Sequence, residues 1–185
     1  MDKLDRCFIA IPFPPFKEAA EFLSSENLKE NIKISITRPE SYHITTHFFG
    51  NIPQMKQKII IEAISRVSFP KFKVRIAVPN YFPPNKPNSA RVLFLGLDEE
   101  GNEKMAELYH QITETLEGVK FKKKNKFIPH LTVARIRRGN PSKLVAKWLD
   151  FDIFKEIEIQ TINFYKSDLF PQGAKHTILY SHDLA

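Results

Sequence analysis

Apolar and polar residues change rhythm repeatedly along this chain, and the rhythm predicts short strands interleaved with helices. Arg6 to Pro12 (RCFIAIP) is a compact apolar run bounded by prolines, as a buried strand would be. Pro15 opens a helical pattern with Phe16, Ala19, Ala20 and Leu23 on one face, ending near Glu30. Ile32, Ile34 and Ile36 alternate with polar residues. Ser41 to Gly50 (SYHITTHFFG) is rich in aromatic and β-branched side chains, so both stretches read as strands. A helix from about Pro53 puts Ile59, Ile60, Ala63, Ile64 and Val67 on its buried side. Phe72, Val74, Ile76 and Val78 then alternate with Lys73, Arg75 and Ala77 as a half-buried strand, and Pro79 to Asn88, with four prolines, predicts a loop.

The second half repeats the mixture. Ala90 to Leu97 (ARVLFLGL) reads as a strand. Met105, Leu108, Tyr109, Ile112 and Leu116 form a helical stripe, with Gly118 placed to stop it. His130 to Arg137 (HLTVARIR) is a strand, and Asn140-Pro141 opens a short helix through Leu149. Strand-like segments at 153–159, 162–169 and 174–184 finish the chain. Helices and strands interleave without a low-complexity linker, so the class is α+β or α/β.

Composition narrows this further. The 185 residues suit one domain, and 16 Phe within a 42% hydrophobic composition can fill a core, which excludes wholesale disorder. The single cysteine, Cys7, excludes an internal disulfide and a multi-cysteine zinc site, and it favours a reducing compartment. The start mixes both signs of charge and does not read as a signal peptide. No apolar run approaches the ~18–20 residues of a membrane span, so the expected location is cytoplasmic. The net charge of +7 is concentrated: residues 118–140 hold Lys120, Lys122, Lys123, Lys124, Lys126, Arg135, Arg137 and Arg138 and no acidic residue. A solvated lysine loop and a polyanion-binding segment both fit such a run.

Two segments resemble each other across the chain: His43-Ile44-Thr45-Thr46 and His130-Leu131-Thr132-Val133, 87 positions apart. In an extended strand His43 shares a face with Thr45, and His130 with Thr132. About a quarter of one His-x-Thr triplet is expected by chance at this composition, so a matched pair in matched strand context is informative. Two imidazoles with reference pKa near 6.5 can divide the roles of proton acceptor and proton donor near neutral pH. Threonine hydroxyls can donate to non-bridging phosphate oxygens as charge builds there. Together they suit phosphodiester chemistry without a metal. His43 and His47 stand four apart, as zinc ligands on a helix would, but their context is a strand and no Glu follows His43. His47 falls on the His43 face by simple alternation, with a core or rim role. His110 and His182 read as surface or structural. Nucleophile-elbow and glycine-rich phosphate motifs are absent, and Cys7 sits in an apolar strand.

These residues resemble the 2H phosphoesterase superfamily, and in detail its RNA 2′,3′-cyclic phosphodiesterase branch, often called 2′-5′ RNA ligases. The likeness runs over nearly the whole chain: Arg6 to Ile11, His43 to Gly50, Ala90 to Leu97, Phe127 to Arg135 (FIPHLTVAR) and Phe164 to Thr177 (FYKSDLFPQGAKHT). It implies one α+β domain over 1–185, bilobal, with two pseudo-symmetric halves each carrying an antiparallel sheet around a central cleft. It implies hydrolysis of an RNA-terminal 2′,3′-cyclic phosphate to a 2′-phosphate with no metal or other cofactor. His43 would be the proton donor, His130 the proton acceptor, and Thr45 and Thr132 the phosphate holders. Arg135 and Phe48, each five residues past a histidine, would approach substrate. Simple alternation turns both away, so a bulge or strand end must bring them back. Lys122, Lys123 and Lys124 would form an RNA approach. The chain has His176 where the family usually has an aromatic, and Thr46 where it usually has an apolar residue. The implied partner is RNA with cyclic-phosphate ends, tRNA fragments included, met by a monomer away from membranes. Ligation of tRNA-like halves through the same site, and a catalytically idle RNA-binding module, are the alternatives.

Overall fold

The computed structural model describes residues 3–27, 31–121, 126–171 and 173–185. Four helices and two antiparallel sheets make up the described chain. Sheet A has the order β3-β1-β8-β9, from β3 (His43–Pro53), β1 (Leu4–Pro12), β8 (Thr161–Phe170) and β9 (Gly173–Asp183). Sheet B has the order β2-β6-β5-β4-β7, from β2 (Lys33–Ile36), β6 (Leu131–Arg138), β5 (Val92–Leu97), β4 (Phe72–Phe82) and β7 (Lys155–Ile159). Each sheet carries one His-x-Thr segment on a strand lying next to an apolar strand: β3 beside β1, β6 beside β5. That is the α+β architecture expected.

The alternation in RCFIAIP sorts β1 into two faces. Cys7, Ile9 and Ile11 enter the main core with Ile60 and Ile64 of α2 (Gln54–Ser65). Phe8 is also buried, 4% exposed, yet lies outside that core on the opposite face; Phe94 of β5 does the same. Both are covered by something other than the helices. Helix α3 (Glu99–Thr115) follows β5 and packs on β4 and β5 through its Met105, Leu108 and Ile112 stripe. Its N-terminus is capped by Asp98, whose carboxylate accepts from the Gly101 amide. Gly118, at φ +79°, takes the left-handed conformation just past its end, as expected of a stop. Helices α1 (Glu18–Asn27) and α4 (Ser142–Leu149) meet each other, and Trp148 of α4 is fully buried, donating from its indole N–H to the Asn80 carbonyl.

Three boundaries differ by several residues from the sequence expectation, one being the end of β3, which runs past Gly50 to Pro53. The first helix begins at Glu18 and not at Pro15; the Lys17 carbonyl accepts its first turn from the Glu21 amide, while Pro14-Pro15 hold the preceding chain extended. Its expected end near Glu30 lies outside the described residues. Strand β4 also continues to Phe82, through Pro79, where a loop is expected. Proline is tolerated because β7 pairs only with residues 72–76, so β4 has lost one neighbour by Pro79. Among the described residues no helix is long and apolar enough to cross a membrane.

Candidate active site

Each motif histidine sits where its strand begins. His43 opens β3 opposite Pro12, and His130 immediately precedes Leu131, the first residue of β6. The two rings are held alike. His43 Nδ1 lies 2.7 Å from the Ser41 carbonyl oxygen, and His130 Nδ1 lies 2.7 Å from that of Ile128. A carbonyl can only accept, so Nδ1 carries the proton and donates in both. In the neutral rings Nε2 is therefore the basic nitrogen.

Aromatic floors support them. His43 lies 5.3 Å from Phe8, 6.1 Å from Tyr165 and 5.4 Å, edge-on, from His176. His130 lies 5.1 Å from Phe82 and 5.5 Å from Phe94, which stack on each other. The histidines are thus what covers Phe8 and Phe94 on the faces turned from the core. Burial pushes the His43 pKa down to about 4, the Ser41 hydrogen bond opposes this, and His176, His130 and Arg135 lower it further. His130 and Arg135, from sheet B, are thus close enough to His43 for their charges to be felt. The two motif strands are in contact. Burial also lowers the pKa of His176, with Arg6 adding to the effect.

The register of β3 and β6 explains the residues five positions on. Along β1, Ala10 pairs with Thr45, Ile9 with His47 and Phe8 with Phe48, so Thr46 is an extra residue, a bulge. Ala10 and Phe8 share a face; therefore Thr45 and Phe48 do too. Along β5, Phe94 pairs with Thr132 and Leu93 with Ala134, leaving Val133 as the extra residue, and Val92 pairs with Arg135. Thr132 and Arg135 then share a face by the same reasoning. In each motif strand a bulge at the fourth motif position turns the fifth residue past the histidine back to the histidine side; β3 has a second irregularity against β1, at Phe49. The Thr46 hydroxyl, buried, donates to the Ile9 carbonyl beside its own bulge.

That bulge also corrects the expectation for His47. It does not share the face of His43 but turns to the core side, 1% exposed, stacked 4.6 Å from Tyr109 and edge-on to Phe121 at 5.0 Å. The Thr113 hydroxyl donates to the Tyr109 carbonyl, so it accepts from His47 Nε2–H at 2.9 Å. Burial raises the pKa of Cys7, also on the core side, to about 11, which leaves an unreactive thiol.

Lys122, Lys123 and Lys124 lie outside the described residues. On the described residues to either side, Phe121 packs on His47 and Phe49, and Phe127 stacks on Tyr109 at 4.4 Å. The floor residues Phe8, Phe94 and Tyr165 lie in segments that carry the family likeness, and Phe82 lies outside them, but none of the four is expected as a site residue. The clue available is Phe8 itself, an aromatic on the non-core parity of a strand whose other face is wholly apolar. Arg6 is a further addition, its guanidinium 4.7 Å above the Phe48 ring.

With this geometry in hand, the comparisons with known proteins agree among themselves. The family model of the 2′-5′ RNA ligase superfamily matches residues 15–169. The chain is 31% identical to an RNA 2′,3′-cyclic phosphodiesterase of Methanocaldococcus jannaschii, over 94% of this chain and 98% of that protein. It is 33% identical to one of Archaeoglobus fulgidus, over 76% and 78%. Its fold resembles that of a Thermus thermophilus protein at 23% identity, with TM-score 0.71 and coverage of 96% and 97%. It also resembles Escherichia coli LigT, solved with 3′-AMP, at 18% identity, TM-score 0.72 and 98% coverage of both chains.

Proposed function

The chain belongs to the 2′-5′ RNA ligase superfamily, and on that footing we propose that it hydrolyses the 2′,3′-cyclic phosphate at an RNA end to a 2′-phosphomonoester, with His43 and His130 as the acid–base pair. The observation that carries the reading is the matched support of the two rings. Each Nδ1–H is spent on a backbone carbonyl two residues back, and each Nε2 is the nitrogen through which a proton can move.

Water attacks phosphorus while His130 Nε2 takes its proton. The bond from phosphorus to the 3′-oxygen breaks, and His43 Nε2–H delivers a proton to that oxygen, leaving the 2′-phosphate. Thr45 and Thr132, on the histidine faces of their strands, donate to the non-bridging oxygens, and Arg135 supplies positive charge beside them. The sequence of steps needs no metal. His43 is the donor only once charged, and the anionic substrate supplies the charge that favours it: a phosphate placed among His43, His130 and Arg135 offsets the repulsion that lowers its proton affinity. Both motifs lie in one chain, so a monomer holds the complete site. The lysine-rich segment next to the second motif favours the strand beyond the end, and tRNA fragments are one source of such ends.

The test is hydrolysis of a short RNA bearing a 2′,3′-cyclic phosphate, with the product identified. A 2′-phosphate is expected. A 3′-phosphate, or no turnover with retained RNA binding, would overturn the reading; the latter is the behaviour of an idle binding module. Adding a 5′-hydroxyl RNA and measuring the joined fraction decides how far the same site runs in the ligation direction.

A further inference from the structure

Arg6 stands on the site face of sheet A and takes no part in the proton transfers just described. Its neighbours on β1 alternate away from it: Asp5 is paired with Lys166 at 3.0 Å and accepts from Gln57 of α2, on the helix side. Arg6 itself has no carboxylate partner among the described residues. Its guanidinium instead lies over Phe48, 4.7 Å from the ring centre. A cation–π contact of this kind holds the guanidinium over the ring, and a guanidinium so held still has N–H groups suited to a phosphate.

Its position along the sheet is defined by register. Phe48 pairs with Phe8, and Thr45 with Ala10, so the guanidinium stands about two strand residues, roughly 7 Å, from the threonine row. That span is comparable to one nucleotide of extended strand. His176, facing Ser167 on β8, has its proton affinity lowered by burial and then by Arg6.

Building on the functional reading above, we propose that Arg6, held over Phe48, is a second phosphate subsite, which binds the phosphodiester on the 5′ side of the terminal nucleotide. The cyclic phosphate sits between the histidines and threonines, and Arg6 measures whether a chain, or at least a 5′-phosphate, is attached behind it. Phe48 then acts as a plate beneath the arginine, with one ring face already covered. The enzyme prefers an oligonucleotide end to a free nucleoside cyclic phosphate for a reason other than the lysine-rich segment.

Three substrates separate the subsites: a nucleoside 2′,3′-cyclic phosphate, the same compound carrying a 5′-phosphate, and a dinucleotide ending in the cyclic phosphate. Arg6→Met keeps the apolar contact with Phe48 and removes the charge. It should lower kcat/KM roughly ten-fold on the second and third substrates and leave the first within two-fold. Arg6→Lys should restore part of the loss, and Phe48→Leu should reproduce part of it. The salt dependence for the dinucleotide should weaken by about one phosphate contact. Equal losses on all three substrates, or none on any, would overturn the subsite. Should the parent protein turn over none of them, the functional reading fails and this one is still decided: binding of the 5′-phosphorylated compound, measured by calorimetry, must fall in Arg6→Met.

Discussion

His43 and His130 make the same hydrogen bond from opposite sheets: each ring's Nδ1–H donates over 2.7 Å to the carbonyl two residues earlier. A backbone turn thereby helps to fix each ring. The environments differ, however. His43 is hemmed in by Phe8, Tyr165 and His176, whereas His130 stands against Phe82 and Phe94. Equal chemistry on paper is placed in unequal surroundings, and burial lowers the proton affinity of His43.

Replacing either ring by alanine should remove its proton transfer. His43→Ala and His130→Ala are each expected to lower kcat by about 10²–10⁴ on a cyclic-phosphate RNA, with folding unchanged by circular dichroism. The parent rate should persist in excess EDTA. Full activity in either variant would end the two-histidine mechanism.

Because the His43 pKa is about 4, its ring is neutral at pH 7 before substrate arrives. To act as the donor it must take up a proton as the phosphate binds. Calorimetry with a 2′-phosphorylated product in buffers of different ionisation enthalpy should show close to one proton absorbed near pH 6.5, and His43→Gln should abolish the uptake. No uptake by the parent would exchange the two roles, making His43 the acceptor.

The same depression affects stability with a definite sign. A histidine that titrates near 6.5 unfolded and near 4 folded binds more proton in the unfolded chain between those values. Its contribution is complete above pH 6.5 and is lost as pH falls toward 4, at up to about 1.4 kcal/mol per pH unit. Urea unfolding across pH 7 to 4.5 should show a shallower decline for His43→Gln than for the parent. His176 contributes in the same direction, so the variant should flatten the slope without abolishing it.

His47 provides the opposite control. It bridges β3 to α3 through Thr113 and the Tyr109 ring, away from the reacting atoms. His47→Ala should cost about 2–3 kcal/mol of unfolding free energy by emptying a buried site, while kcat per folded molecule stays within a few-fold. A large loss of kcat in a stably folded variant would return His47 to the site.

What is legible in the chain follows from which interactions are local. Period-two and helical patterns locate nearly every element, because face alternation is a property of neighbouring residues. The paired His-x-Thr segments identify the two sheets' contributions for the same reason. The start of α1 escapes the pattern because Pro14-Pro15 resembles a helix-opening signal but holds the chain extended to Lys17. Pro79 looks like a loop residue because the loss of one strand neighbour is invisible from within β4. The destination of His47 is hidden for a related reason, since a bulge is a relation between two strands. The aromatic floor under each histidine also needs partners far apart in sequence, such as Phe8 with Tyr165 and Phe82 with Phe94.

The extra residues Thr46 and Val133 amount to a change of phase in each motif strand. Odd-numbered residues of β3 face the site at 43 and 45, and an even one at 48; in β6 the even ones come first, at 130 and 132, then the odd 135. Straightening either strand while keeping that residue would leave the histidine and threonine in place and turn the residues just past it to the opposite face. It would send Arg135 toward the core in β6 and turn Phe48 away from the site in β3. The fifth residue past each histidine thus owes its face to one unpaired residue: straightening around it reverses that face, whereas deleting it restores regular alternation and keeps it.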